Sequence, residues 1–452
     1  MRLKVYLSCA VQELIIILLI TCAAPSLALQ DPAEPPGAKP TVKSLAPPAG
    51  AIALKSVDKT SLRATVEELV GCGTRSSLSS WTDPKRGIGC ARDHIVARFK
   101  HIAKISGGRM EVKVDHFEDT GERTGNKPVS MENVYAILPG TDPALAKTVF
   151  IVSGHFDSRA SNVMDPTSDA PGADDDGSGT AVSLECARLL ASRRLRASLL
   201  FATVSGEEQG LYGGRRLLAY VKEQGYTAGA MLDNDIVGAD FAPGAPHRVR
   251  LFSGGAGRAD CDTPSRELAR AVEKIDGRHE VRMIYRVDRL GRGGDHYPFV
   301  MAGLPAVRFT EPLEDYHHEH QDVRVENGVQ YGDLIKYLNF DFMARVARDN
   351  AEVLRRLALA PAAPTDVYIR GAVTPSARIS WRASEDPERA GFEILWRETT
   401  NRRWTVFEFV NSAKETVLTN VSTDNHFFAV RAVGKNGARS IPVAAELPPR
   451  HR

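Results

Sequence analysis

The chain of 452 residues predicts an α/β domain on a helix-covered, mostly parallel but mixed sheet, followed by a small all-β sandwich. Three observations carry this. Val149–Val152 and Leu199–Val204 are continuous apolar runs, as strands buried on both faces require. Between them, Ala181, Val182, Cys186, Leu189 and Leu190 repeat at helical spacing. After Leu357 the helical period vanishes and short strands separated by turns take over.

Composition excludes several classes. With 43% hydrophobic and 25% charged residues, the chain is neither disordered nor collagen-like. Lys and Arg number 58 against 56 Asp and Glu, so no basic excess draws it to nucleic acid. Six cysteines are too few for a disulfide scaffold.

Residues 1–28 read as a secretory signal. Arg2 and Lys4 precede the apolar run Leu14–Ile20, and Ser26-Leu27-Ala28 supplies small residues for cleavage. The run is short for a membrane span, so no membrane-spanning segment is expected after its removal, and a secreted or periplasmic location is. Residues 29–56 form a Pro/Ala-rich leader. Cys72 and Cys90 flank a polar, turn-rich stretch that a disulfide would close, which the sequence leaves open, and Cys186 is expected as a free core thiol.

The α/β domain spans residues 57–357. Gly229–Leu232, Val249–Phe252 and Ala306–Phe309 continue the strand pattern, and a long helix from about Val329 to Leu357 closes the domain. Residues 358–364 are a linker. Over residues 365–449, strands are expected at Val367–Ile369, Ala377–Trp381, Phe392–Trp396, Trp404–Phe407 and Phe427–Val433.

Five segments gather histidines and carboxylates: Gly154–Ser158 (GHFDS), Pro171–Gly179 (PGADDDGSG), Ser205–Leu211 (SGEEQGL), Asp233–Gly238 (DNDIVG) and Tyr316–Asp322 (YHHEHQD). In an open α/β sheet, ligands bind beyond the carboxyl ends of the strands, where His155, Glu207, Glu208 and Asp235 fall. Three successive aspartates repel one another, and a cation relieves that repulsion. His with carboxylate and no Cys suits zinc or a similar divalent metal, and several carboxylates suit two such ions about 3.5–4 Å apart.

These motifs resemble the family-twenty-eight metallopeptidases, secreted bacterial leucine-type aminopeptidases with two zinc ions. The resemblance covers roughly residues 57–357. It implies that His155, Asp175, Glu208, Asp235 and His318 bind two Zn2+, with Asp175 bridging, and that Glu207 is the general base. Asp157 would orient His155, and Asp295 would stand just outside the ligands. Asp233 competes with Asp235, and His317 and His320 compete with His318. His318 is preferred because it stands four residues before Asp322, matching the family's HxxxD. The tyrosine that holds the tetrahedral intermediate in the family has no clear counterpart, and Tyr316 is a candidate for it. The implied substrate is the N-terminus of a peptide or protein. A carboxypeptidase or dipeptidase on the same scaffold would need a basic clamp, for which Arg286, Arg289 and Arg292 stand near Asp295. Glutaminyl cyclase shares the scaffold with one metal, and a non-catalytic relative would have lost ligands that are all filled here. The C-terminal segment resembles a fibronectin type III domain, with Trp381 as the core tryptophan but without the usual tyrosine corner. It would serve attachment to a surface or polymer.

Overall fold

The computed structural model describes residues 45–241, 248–255, 262–276, 280–411 and 414–449. The expected signal segment and most of the leader lie outside the described residues, as does Cys261. Among the described residues no helix is long and apolar enough to cross a membrane.

The first part alternates helices and strands. In chain order they are α1 (Lys59–Gly71), α2 (Ile88–Ile105), β1 (Glu111–Asp119), β2 (Val129–Leu138), β3 (Thr148–His155), α3 (Gly177–Leu190), β4 (Ser198–Val204), α4 (Tyr212–Glu223), β5 (Thr227–Asn234), β6 (Val249–Phe252), α5 (Pro264–Asp276), β7 (Val281–Ile284), α6 (Tyr297–Met301) and β8 (Ala306–Thr310). A short hairpin, β9 (Arg324–Glu326) and β10 (Val329–Tyr331), precedes the long helix α7 (Phe340–Leu359).

Eight strands form one sheet in the order β1-β2-β4-β3-β5-β8-β6-β7. The central pairs β4-β3, β3-β5 and β5-β8 are parallel, while β1-β2, β2-β4 and β6-β8 are antiparallel. The sheet is therefore mixed, as expected, with the apolar run Val149–Val152 of β3 and the largely apolar β4 at its parallel centre. One layer of core joins β3 and β4 to α1, α2, α3 and α7, through Leu62, Phe99, Val182, Phe201 and Leu354. A second layer, around Tyr135, Leu200, Leu217 and Phe299, packs α4 and α6 on the opposite face.

The closing helix begins later than the sequence pattern predicts. Asn339 caps it by accepting from the backbone N–H groups of Asp341 and Phe342. Val329–Tyr331 pairs instead with Arg324–Glu326, turning at Asn327 and Gly328, both at positive φ.

Cys72 and Cys90 form a disulfide, with Cα atoms 5.9 Å apart. Cys186 is free and buried. Packing starts before Val57: Ile52 donates to Glu352 Oε2 at 2.9 Å, and Arg355 reaches the Ala49 carbonyl at 3.0 Å.

Two antiparallel sheets follow, β11 (Thr365–Arg370), β12 (Ser376–Arg382) and β15 (Glu415–Thr419) in one, β14 (Thr405–Val410), β13 (Arg389–Glu398), β16 (His426–Gly434) and β17 (Val443–Ala444) in the other. They enclose a core of Ile379, Trp381, Phe392, Ile394, Leu418 and Val430, with Trp381 and Phe392 edge to face at 5.3 Å. Strand β15 sits in a polar, alternating stretch that the apolar pattern does not mark.

This part is anchored on α5. Trp404 Nε1 donates to Glu267 Oε2 at 2.6 Å, Arg402 pairs with Glu273 at 2.8 Å, and Arg397 pairs with Asp262 just before the helix. Farther away, Arg196 meets Asp386 at 2.8 Å.

Candidate metal centre

The site lies where β3, β4 and β5 end, as the position of parallel strand termini in such a sheet dictates. His155 is the last residue of β3, and Glu207 and Glu208 follow β4 by a short turn at Gly206, whose φ is +73°. Asp235 follows β5. The aspartate triplet precedes α3, whose first turn lies against the end of β3. Gly154 and Gly179 make that approach feasible, since a Cβ on Gly154 would fall 2.3 Å from the backbone of Gly179.

The three aspartates divide their work. Asp174 accepts from Gly238 N at 2.7 Å and from Ser178 Oγ at 3.0 Å, which ties the loop to the end of β5. Asp176 caps α3 through Gly179 N and also accepts from His155 N at 2.9 Å. Only Asp175 turns its carboxylate into the pocket. Its Oδ1 is 3.1 Å from His155 Nε2 and its Oδ2 is 2.9 Å from His320 Nε2.

The donors fall into two sets. The side chains of His155, Glu207 and Asp235 bring ligand atoms within 4.8 Å of one another, as do those of Asp175, Glu208 and His320. Glu208 Oε1 is 3.1 Å from His320 Nε2 and is buried without a hydrogen bond. A buried carboxylate oxygen left unpaired, facing an imidazole nitrogen, fits a cation held between them.

His318, preferred in the sequence reading, is not at this cluster. Its ring stacks on Tyr337 with centroids 3.6 Å apart, and its nearest carboxylate is Asp315 at 3.8 Å. His320 takes the place instead. Its φ of +52° lies in the left-handed region, so the chain bends there and swings the imidazole inward. His317 is held by Asp315 at 2.8 Å. Tyr316 is 68% exposed and does not line the pocket.

Asp233 and Asp235 separate cleanly. Asp233 accepts from Ser153 Oγ at 2.9 Å and from His296 N at 3.1 Å, beneath the site. Asp235 Oδ1 faces His155 Nε2 at 3.7 Å and Arg308 at 2.8 Å. The fully buried Arg308 also reaches Asp288 at 3.2 Å, and these guanidinium contacts help hold both carboxyls below their ordinary range. Asp157 lies under His155, its Oδ1 3.5 Å from Nδ1, and accepts from Ser77 Oγ and Glu208 N at 3.2 Å. Asp295 is buried with neither carboxylate oxygen hydrogen-bonded, and burial beside Asp233 pushes it well up. Glu207 is also pushed up, by burial and then by Asp235, Glu208 and Asp295, against the opposing pull of His155.

Comparison with known proteins decides the lineage. The profile of Peptidase family M28 matches residues 133–334. A probable zinc metalloprotease of Leptosphaeria maculans is 40% identical over 410 residues, covering 86% of this chain and 94% of that protein. The chain belongs to peptidase family M28. A second probable zinc metalloprotease, from Pyrenophora tritici-repentis, is 40% identical over 84% of this peptidase and 83% of its own length. Among solved structures, LapB from Legionella pneumophila superposes with a TM-score of 0.53 at 20% identity, covering 71% and 79% of the two chains. The LapA aminopeptidase of the same organism gives 0.51 at 19%, covering 70% and 78%.

Several residues that build this M28 site carry no motif. Arg75 is fully buried and donates to the carbonyls of Phe156 at 2.7 Å, Gly172 at 2.8 Å and Pro171, bracing two ligand loops at once. Burial lowers its pKa to about 10. Asp333 accepts from the backbone of Asp174 at 2.9 Å and Asp175 at 2.8 Å, and burial raises it to about 8. Both act through backbone groups, which residue-type patterns do not record.

Proposed function

We propose that this zinc-dependent peptidase is a secreted, dinuclear exopeptidase that removes residues from peptide N-termini. The observation that carries the reading is the Asp175 carboxylate, with one oxygen facing each histidine and a further carboxylate pair completing two donor sets. His155 and Asp235 would hold one Zn2+, Glu208 and His320 the other, and Asp175 both. When bound, such a pair would supply Lewis acidity for peptide hydrolysis and would lower the pKa of the attacking water.

Glu207 lines the pocket over the cluster and in this reading takes the proton of the attacking water and passes it to the leaving amine. Asp157 fixes the His155 ring, because its carboxylate is itself held by Ser77 and Glu208 N. In this reading the carboxylates of the donor sets, which line the pocket beside four arginines, would face the protonated substrate amine. The fold shared with the LapA aminopeptidase agrees with this direction of attack.

Secretion is supported by the signal-like residues 1–28 and by the Cys72–Cys90 disulfide, which suits an oxidising compartment. The C-terminal pair of sheets is read as fibronectin III-like, supported by its strand pattern and buried Trp381. Its ion pairs and hydrogen bond to α5 argue for bracing the peptidase unit, beside any role in attachment to a surface or polymer.

The test is a panel of aminoacyl anilides and matching N-acetylated peptides, with and without chelator. Chelator-sensitive cleavage of unblocked substrates only is the expected result. Cleavage of N-blocked peptides from the C-terminus would replace this reading with a carboxypeptidase.

A further inference from the structure

The pocket over the donor sets, a cavity of about 600 Å3, is lined by four arginines, Arg123, Arg159, Arg289 and Arg292. Two of them are spent within the fold. Arg289 lies 3.0 Å from Asp288 and 3.1 Å from Glu314, and Arg292 pairs with Glu314 and, at 3.5 Å, with Glu319. Of the clamp foreseen at Arg286, Arg289 and Arg292, the two members that line the pocket are therefore already ion-paired, and Arg286 is not among the lining residues.

The other two have no ion pair among the described residues. Arg123 donates to the Glu208 carbonyl at 2.8 Å. Arg159 donates to the carbonyls of Ala160 at 3.1 Å and Ser161 at 2.8 Å. Carbonyls aim a guanidinium but leave its charge uncompensated. Both arginines sit on held backbone. Ser161 N donates to Asp322 Oδ1 at 3.0 Å, and Asp322 N donates back to Ser161 Oγ at 2.9 Å. Arg123 lies in the turn Glu122–Thr124, closed by Thr124 Oγ1 accepting from Gly121 N at 3.0 Å.

Arg123 is exposed and Arg159 half-buried at the pocket wall, and a guanidinium aimed in this way selects a carboxylate, which it binds with two parallel hydrogen bonds. We propose that Arg123 and Arg159 read a carboxylate on the substrate, so the preferred peptides carry an acidic side chain or a free C-terminal carboxylate close to the scissile bond. This deepens the exopeptidase reading and rests on it.

Three matched pairs separate the sources: Glu-anilide against Gln-anilide, Leu-Glu-amide against Leu-Gln-amide, and Leu-Ala against Leu-Ala-amide. The zinc-loaded protein should favour the acid by about ten-fold or more in kcat/KM in at least one pair, which identifies where the carboxylate lies. Arg123→Gln and Arg159→Gln should each shrink that ratio toward one, and Arg159→Glu should invert it. Ratios within two-fold in all three pairs, or a preference that survives both Gln variants, overturn the assignment while leaving the exopeptidase reading standing. A protein that cleaves none of these peptides overturns both.

Discussion

The Asp175 carboxylate faces His320 at 2.9 Å, across a pocket whose opposite wall is the end of β3. This contact makes Asp175 the one member of the triplet able to serve two donor sets. Asp175→Asn should lower bound zinc and reduce kcat by at least 100-fold, because an amide presents one acceptor where the carboxylate presents two. Asp174→Asn should act on folding instead, since Asp174 holds Gly238 N and Ser178. Metal content and melting temperature, measured on both variants, separate the effects. Greater zinc loss in Asp174→Asn would reverse the assignment.

His320→Ala should remove one zinc per chain and nearly all activity, whereas His318→Ala should keep both zinc ions. His318 contributes a stacked contact with Tyr337, worth about 0.5–1.5 kcal/mol, so its loss should appear in the melting curve. Zinc retention by His320→Ala would return His318 to the site.

Glu207→Gln should lower kcat by about 10² to 10⁴ while keeping the wild-type zinc content. The side chain stays isosteric, so substrate affinity should move little. A variant with full peptidase activity would exclude Glu207 as the base.

The Cys72–Cys90 disulfide closes a loop of sequence separation 18 and should contribute roughly 3 kcal/mol by chain entropy. The loop also carries Arg75 and Ser77, which support the carbonyl of Phe156 and the carboxylate of Asp157. Replacing both cysteines by Ala should therefore lower the melting temperature and weaken zinc binding together. A stability loss with unchanged zinc affinity would show that the site does not depend on the loop.

Glu267 links α5 to Trp404, and burial raises its pKa from 4.5 to about 7 despite the nearby Arg270. Between those values the folded chain binds more protons than the unfolded chain. The contribution of this group to stability thus falls as pH rises through 4.5 to 7 and levels off above, a change on the order of 1–3 kcal/mol. Unfolding of wild type and Glu267→Gln followed from pH 4.5 to 8 reads the difference. Parallel curves for the two proteins would refute this role.

Much of the fold was legible locally. β3, β4, β5, β6 and β8 fall on the expected runs, because a strand covered on both faces is mostly apolar, with Arg250 in β6 and Arg308 in β8 as the charged exceptions. β1 was not legible. Exposed and half-buried residues alternate along it with charged side chains, and its place at the sheet edge comes only from pairing with β2. The donors at the ends of β3, β4 and β5 were legible for a related reason: a parallel strand delivers its last residues to one rim, so motif and position coincide.

What the sequence by itself determined is therefore the sheet centre and the rim position of His155, Glu207, Glu208 and the Asp233–Asp235 segment, while the choice of Asp175 and Asp235 came from the family resemblance. The tertiary structure alone decided between His318 and His320. Those residues lie in a turn where spacing does not predict direction, and a left-handed backbone at His320 aims its ring. It likewise decided that Arg289 and Arg292 are ion-paired while, among the described residues, Arg123 and Arg159 are not. Charge compensation depends on which distant side chains meet, as Glu314 meets Arg292 while among the described residues no carboxylate pairs with Arg159, and that information is set by packing rather than by any local run of residues.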